Sequence, residues 1–466
     1  MKTTSDDFVI LGGGVAGLTM ARELLRCGRS VTVLERASWF GGLARTFERE
    51  GFRFDIGGHR FHSNNPDVVN WVRELLGDQL LEVGRSSRIY MGGRFVDYPI
   101  QFPGALTIFS PAQAVKVGLS YLSTFVRPGG EDVSFEDWVV RRFGHALFDT
   151  YFRPYTEKVW GISCTELSAD WASARISIPS LWQTFAHAIH PPKNAPKTAI
   201  RRFYYPRDGF GTICDRLIEE IDRMGGRLQA EAEVLAVRPG PRDASVTFRC
   251  GNGEDETITT GTVVSTIPIE ALLGVLPPES NAAEVARSFH LDYRGIVLLC
   301  LAINRKQVTP DQWTYFPGPE TIFGRSHEPK NWSAAMVPSQ QVTSLALEIY
   351  ASPGDAAWTS TDADLVAHSV DDLARLGLMK TNELLHGWVL RVPYAYPIYR
   401  IGYAERMKSV RNFLEASPTL RLLGRTGAFH YMNSDGVVED CLRVLHEIMP
   451  EREQAIRPLE AAARWA

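Results

Sequence analysis

Phe8-Val9-Ile10-Leu11 is a short apolar run of β-forming residues that leads directly into Gly12-Gly13-Gly14-Val15-Ala16-Gly17, a G-x-G-x-x-G pattern. Leu18, Ala21, Leu24 and Leu25 recur at helical spacing up to Gly28, a natural C-terminal stop, and Val31-Thr32-Val33-Leu34 reads as a second strand ending at Glu35. A chain that begins this way is committed to a β-α-β unit. Gly12 permits the tight turn, Gly14 lets the backbone approach a pyrophosphate, and Gly17 lets the helix pack closely on the strand. The helix N-terminus adds unpaired N–H groups and a positive dipole end. Glu35 suits a ribose hydroxyl pair and would repel a 2′-phosphate, which disfavours NADP at this site. An ordinary glycine-rich turn shares the glycines; the strand, helix, second strand and acid at the required spacings separate the two readings.

Between Gly51 and Asn65 the chain reads Gly-Phe-Arg-Phe-Asp-Ile-Gly-Gly-His-Arg-Phe-His-Ser-Asn-Asn, a glycine-rich turn carrying His59 and His62. Backbone held close to a flavin accounts for Gly57 and Gly58 better than solvated or core-satisfied histidines do. The expectation is a flavin with a reacting partner.

With 466 residues and 44% hydrophobic content the chain is too long for one ordinary domain and apolar enough for two or three. A net charge of −4 gives no basic field for nucleic acid, so local arginines have to meet any anionic ligand. Cys27, Cys164, Cys214, Cys250, Cys300 and Cys441 are scattered, with no C-x-x-C pair and no His/Cys cluster at metal-ligand spacing, which reads as reduced thiols and no metal. The polar start fits no secretory signal and no apolar stretch reaches membrane-spanning length, so a cytoplasmic protein with no membrane span is expected. Oligomeric state stays open, a homodimer included.

Farther along, Pro66 to Leu76 reads as a helix and Ser87 to Tyr98 as a strand pair around Gly92-Gly93. Helical patterns run from Pro111 through Phe125 and from Ser134 onward, where Asp137 completes a capping box, continuing to about His190. Thr212 to Met224 reads as a helix, Arg227 to Val237 as one strand, and Val263 to Pro268 as a return to the first sheet. Ile296 to Ile303, Thr343 to Tyr350 and Trp388 to Val392 suit a separate antiparallel sheet, with a helix at Ala363 to Leu376. Leu420 to Leu423, Gly424-Arg425 and a helix from about Gly436 to Ile448 close back towards the cofactor, and the Ala-rich end after Arg457 reads as frayed. The fold class expected is α/β: a discontinuous Rossmann-like FAD-binding domain (1–86, 204–278, 413–466), an inserted helical domain (103–203) and an antiparallel-sheet substrate domain (87–102, 279–412).

Five separated motifs covering most of the chain resemble the UDP-galactopyranose mutase family, within the flavoprotein group that also holds protoporphyrinogen oxidases and amine oxidases. The first, Gly12 to Gly17 with Glu35 and Gly41-Gly42-Leu43-Ala44-Arg45, resembles the start shared by the whole group. The second, Asp55 to Asn65, is similar to the mutase segment Gly-Pro-His-Ile-Phe-His-Thr-Asn-Asn, with Gly58 in place of the bacterial proline. The third, Pro154-Tyr155-Thr156-Glu157-Lys158-Val159-Trp160-Gly161 followed by Arg175, resembles a Tyr-Thr-x-Lys-x-Trp stretch and a substrate arginine. The fourth, Phe323 to Trp332, is similar to Thr-Arg-Ile-x-Glu-x-Lys and carries Arg325. The fifth joins Tyr394-Ala395-Tyr396-Pro397 to Gly424 through Asp435, with Asn433 where bacterial mutases usually have aspartate.

The resemblance implies FAD, active when reduced. Its expected contacts are Gly12, Gly14, Ala16, Gly17, Glu35 and Arg36 in the first unit, then Gly42, Leu43, Ala44, Gly57, Gly58 and His59, and finally Val234, Gly424, Arg425, Asn433 and Ser434. It implies a nucleoside-diphosphate sugar as partner, with Arg175 and Arg325 clamping the diphosphate, Tyr396 and Tyr431 bonding it, and Tyr155 and Trp160 flanking the nucleotide. Guanidinium groups match phosphate oxygens in a bidentate fork, which gives the clamp a rationale of its own. Arg175, Arg325, His59 and His62 are the implied catalytic set.

The implied reaction interconverts pyranose and furanose forms of a UDP-galactose-like sugar through a flavin N5–sugar adduct that opens to an iminium, without net redox change. An external reductant such as NAD(P)H would prepare the flavin. Two other readings share the scaffold: a true FAD-dependent oxidase or desaturase of the protoporphyrinogen oxidase or amine oxidase type, and a flavin-free binder like the Rab dissociation inhibitors. Electron count separates the first from a mutase, and a flavin spectrum excludes the second.

Overall fold

Val9, Ile10 and Leu11 are fully buried because their strand, Lys2–Leu11, lies between two parallel neighbours, Asp255–Ser265 and Val31–Leu34. The computed structural model describes residues 2–98, 109–126, 130–175, 202–277, 282, 284–285 and 291–450. The first sheet has seven strands, in the order Glu233–Pro239, Ala244–Arg249, Asp255–Ser265, Lys2–Leu11, Val31–Leu34, Arg227–Gln229, with Leu420–Leu422 also parallel to Asp255–Ser265. Strands far apart in sequence therefore build one sheet. The helix Val15–Arg26 covers it through Leu18, Ala21 and Leu24, all fully buried.

The single strand expected over Arg227 to Val237 is instead two. Glu231 sits at φ 52°, and the N–H groups of Glu231 and Ala232 bond the carbonyls of Ala37 and Glu35 at 3.0 and 2.9 Å. A non-glycine residue held in the left-handed region breaks the ladder, and the chain moves from one edge of the sheet to the other.

The second sheet also has seven strands, in the order Leu384–Ile398, Asp292–Ile303, Thr343–Tyr350, Arg325–His327, Trp313–Tyr315, Ser87–Met91, Arg94–Asp97. Thr343–Tyr350 is buried at every position, its polar residues included, because both its faces are covered. The strand expected at Trp388 to Val392 runs for 15 residues, because it follows Asp292–Ile303 along its length with a register shift between Arg294 and Ile296. The fold is thus mixed α/β, with the first sheet, an antiparallel-dominated second sheet and helices.

The helices Pro111–Leu122, Phe135–Phe143, Arg153–Trp160 and Ala169–Arg175 lie between the strands Arg94–Asp97 and Arg202–Pro206. Ser134 and Asp137 form the expected capping box: the Ser134 hydroxyl accepts from the Asp137 N–H at 3.1 Å and the Asp137 carboxylate accepts from the Ser134 N–H at 2.9 Å. The helical reading from residue 176 to His190 and the Ala-rich end lie outside the described residues. At the other end, the helix Ser434–Ile448 packs on Val15–Arg26, with the Cys441 thiol 3.4 Å from the Ala16 carbonyl oxygen.

Candidate functional site

The glycine turn is built for close approach. A Cβ on Gly17 would overlap the Gly12 carbonyl oxygen, and one on Gly12, at φ 98°, would overlap the Thr266 hydroxyl. Gly14 caps the helix without any side-chain hydrogen bond, and its first turn holds no acid, so the N-terminal N–H groups stay available to an anion. Gly41 donates to the Gly13 carbonyl at 2.8 Å, which brings Gly42 against Gly14. Glu35 is held by two backbone donors, Gly13 N–H at 2.8 Å and Ala37 N–H at 2.9 Å. An oriented carboxylate beside bare, uncapped backbone fits the ribose and pyrophosphate of FAD. Val234 stands just beyond the Glu231–Ala232 contact with that strand end, and Arg36 is exposed.

Gly424, at φ 78°, abuts Ala16: a Cβ there would meet the Ala16 Cβ at 2.6 Å. Arg425 follows directly, and its guanidinium lies 4.2 Å from the Tyr431 ring centroid. Asn433 is the N-cap of the last helix and Ser434 its first residue.

Gly57, Gly58 and His59 follow Asp55, which holds the turn from behind. Its carboxylate accepts from Thr46 Oγ1 at 2.5 Å, Tyr205 OH at 2.6 Å and Phe210 N at 2.9 Å. Burial pushes the Asp55 pKa up from 3.8 to about 6 against those hydrogen bonds. With the folded value above the unfolded one, the stabilisation from this group is full below about 3.8 and is lost as pH rises through about 6. The unfolding free energy of wild type minus that of Asp55→Asn is therefore expected to fall across this window in urea titrations; a flat difference contradicts the assignment.

The His59 ring stacks on Phe210 at 5.0 Å. Burial first, then Arg425, lower its pKa to about 4, so the imidazole is neutral at pH 7. The His62 pKa is lowered by burial and by Arg60, with Asp435 acting the other way.

Arg325 donates two bonds from Nη2 to Glu348, at 2.6 and 2.8 Å, and one from Nε at 3.1 Å. Glu348 is wholly buried and also meets His327 Nε2 at 2.5 Å and the Gly58 N–H at 3.1 Å. Burial pushes the Glu348 pKa up, but Arg325 and then His327 more than reverse this, leaving it well below the ordinary carboxylate range. The acid thus ties the arginine to the Gly57–His59 turn. Neither Glu348 nor His327 stands among the residues expected from sequence; the signal for Glu348 is its place as the lone charge in Thr-Ser-Leu-Ala-Leu-Glu-Ile-Tyr.

Beyond Arg325 the site is phenolic. Arg325 Nη2 reaches Tyr396 OH at 3.4 Å, the Tyr396 and Tyr431 rings stack at 6.1 Å and 10°, and Arg425 lies 4.8 and 4.2 Å from their centroids. Arg425 also donates to the Ala395 carbonyl at 2.7 Å, while its buried Nε has no partner. Tyr155 meets Tyr315 edge-on at 5.8 Å. Trp160 is 3% exposed, packed against Trp171 at 4.7 Å and Tyr396 at 6.2 Å, so it backs the tyrosine wall from within the helical core. Arg175 ends the helix Ala169–Arg175, and its side chain lies outside the described residues. The structure thus brings Arg325, Tyr396, Tyr431, Arg425 and His59 together, with His62 apart from them and Trp160 behind them. Among the described residues no helix is long and apolar enough to cross a membrane, and no group of His, Cys, Asp and Glu could hold a metal ion.

The chain matches the family described as flavin containing amine oxidoreductase over residues 15–443. A Klebsiella pneumoniae protein described as a UDP-galactopyranose mutase is 26% identical over 173 residues, 35% of this chain and 43% of that protein, so the match spans less than half of that relative. Protoporphyrinogen oxidase 1, chloroplastic, of Arabidopsis thaliana is 22% identical over 450 residues, 89% of this chain and 82% of that protein. Among solved structures, reduced UDP-galactopyranose mutase aligns with a TM-score of 0.81 at 22% identity, covering 95% of this chain and 96% of that chain. A protein from Exiguobacterium sp. 255-15 described as a protoporphyrinogen oxidase aligns with a TM-score of 0.73 at 18% identity, covering 97% and 99%. These structural likenesses concern the fold. The family match runs from the first helix of the nucleotide unit into the last helix that packs on it, and the chain belongs to the flavin-containing amine oxidoreductase family.

Proposed function

We propose that the protein is an FAD-dependent nucleotide-sugar mutase that interconverts the pyranose and furanose forms of a UDP-galactose-like substrate. The observation that carries this reading is the joining of Arg325 to Tyr396, with Tyr431 and Arg425 stacked behind, beside the Gly57–His59 turn. Two guanidinium groups and two phenols, facing one buried carboxylate that already belongs to Arg325, make an electropositive, hydrogen-bonding wall suited to a diphosphate. Gly12, Gly14, Gly17, Glu35 and Gly42 would hold the FAD, with Gly57 and Gly58 under its ring. When bound and reduced, the flavin supplies the electron-rich nitrogen chemistry that a sugar isomerisation without net redox change requires.

The chain's own residues bind and orient. Arg325 takes the negative charge that grows on the departing diphosphate, Tyr396 and Tyr431 donate hydrogen bonds to it, and Arg175 is assigned as the second clamp arginine. Tyr155 flanks the nucleotide, while neutral His59 leaves the region beside the ring uncharged on that side. NAD(P)H is the external reductant in this scheme.

The test is incubation of the reduced, flavin-loaded protein with a panel of nucleotide sugars, read by chromatography. Pyranose-to-furanose conversion of at least one is expected; conversion of none refutes the reading. The rival, a net FAD oxidoreductase, is favoured by the Arabidopsis protoporphyrinogen oxidase match, which spans 89% of this chain.

A further inference from the structure

Arg60 stands where the mutase segment that this turn resembles carries isoleucine, and its surroundings do not neutralise it. Its Nη1 is buried without a hydrogen-bond partner, and its guanidinium lies 5.4 Å from the centroid of the Trp313 ring. Arg85 lies at the same distance, 5.4 Å, from that ring. Among the described residues Arg85 donates only to uncharged oxygens, Ser87 Oγ at 3.2 Å and the Tyr98 carbonyl at 3.5 Å. The Trp313 Nε1, also buried, has no acceptor.

Both guanidinium groups thus gather at the Trp313 ring, whose own donor is unpartnered, and among the described residues neither arginine forms an ion pair. Burial disfavours the Arg60 charge most, Arg85 and Arg325 add to that, and Tyr315 and Asp435 act the other way. Holding the half-buried Arg60, with its Nη1 shielded, beside Arg85 without a counter-charge among the described residues is costly, so the arrangement suits an added anion. The register places it. Tyr315 pairs with Arg325 and Trp313 with His327, so the cluster lies two strand residues from the clamp arginine, about 7 Å and comparable with the width of a sugar ring.

We propose that Arg60, Arg85 and the Trp313 Nε1 form an anion subsite that selects nucleoside-diphosphate sugars whose sugar carries a carboxylate. This rests on the nucleotide-sugar reading of the site. The carboxylate takes bidentate donation from Arg60 and a charge-assisted bond from Arg85, while the diphosphate stays on Arg325.

The test is calorimetric titration of the flavin-loaded protein with UDP, UDP-galactose, UDP-galacturonic acid and NADPH. In wild type, UDP-galacturonic acid is expected to bind about tenfold or more tighter than UDP-galactose. That ratio should collapse to about one in Arg60→Ile, persist in part in Arg60→Lys, and shrink in Arg85→Leu, which reads the same subsite through a second position. A wild-type ratio near or below one, or a ratio unmoved by all three substitutions, overturns the subsite. So does a loss confined to NADPH, which would give the arginines to the reductant's phosphate. If UDP and UDP-galactose bind and the carboxylate adds nothing, the subsite alone falls; if UDP itself does not bind, the nucleotide-sugar reading falls with it.

Discussion

Arg325→Ala is expected to cut kcat/KM for the nucleotide sugar by about 30-fold to several thousandfold, the equivalent of about 2–5 kcal/mol for a buried charge removed from a clamp. A turnover within about twofold of wild type would remove Arg325 from the assignment. The same substitution acts on stability, because it leaves a wholly buried Glu348 with only His327 and the Gly58 N–H. Breaking a buried pair from one side costs about 3–5 kcal/mol. The pH dependence separates this cost from catalysis. Glu348 has a folded pKa below its ordinary 4.5, so its stabilisation is full above about 4.5 and is lost as pH falls towards the folded value. The stability gap between wild type and Arg325→Ala should therefore be widest near neutrality and narrow below about pH 4.5, as urea titrations at the two pH values would show. An equal gap at both contradicts the ion-pair account. Arg325→Lys keeps a charge against Glu348 but not the fork, so it should recover stability more than turnover.

Gly17→Val is expected to abolish flavin retention. Any Cβ at this position overlaps the Gly12 carbonyl oxygen, and it would also stand 3.2 Å from Cγ2 of the fully buried Ile10 in the central strand. Neither neighbour is the mobile end of a flexible side chain, so the turn has to open and the pyrophosphate N–H groups scatter. The purified variant should lose the flavin absorbance that accompanies wild type, with affinity falling about fivefold to more than a hundredfold, the equivalent of an overpacking cost of about 1–3 kcal/mol. Gly28→Ala is the matched control. Gly28 has φ 74° with nothing within 4 Å of an added methyl, so it should cost about 1–2 kcal/mol of backbone strain and keep the flavin. A yellow Gly17→Val protein with full flavin content would refute the packing argument.

The nucleotide unit was legible because each of its requirements is local. A strand, a turn that excludes side chains, a helix and an acid must follow one another within about 25 residues, and Gly12, Gly17 and Glu35 each leave a mark in that window. The Ser134–Asp137 capping box was legible for the same reason. The site was harder to read. Arg325 and Tyr396 are visible in short motifs, but the acid that orients Arg325 comes from a neighbouring strand 23 residues away, and nothing local states that Glu348 pairs with it. Arg60 lies inside a motif yet depends on Trp313 and Arg85, which reach it only through sheet pairing. The break at Glu231 was invisible because a left-handed glutamate follows from tertiary hydrogen bonds to Glu35 and Ala37 rather than from propensity.

The most direct test of the central claim counts electrons. With reduced flavin, no oxygen and no added acceptor, the protein is predicted to turn over its nucleotide sugar many times while the flavin spectrum returns unchanged. One equivalent of oxygen or another acceptor consumed per product formed, with no turnover beyond the first in its absence, would contradict the account and identify a net oxidoreductase.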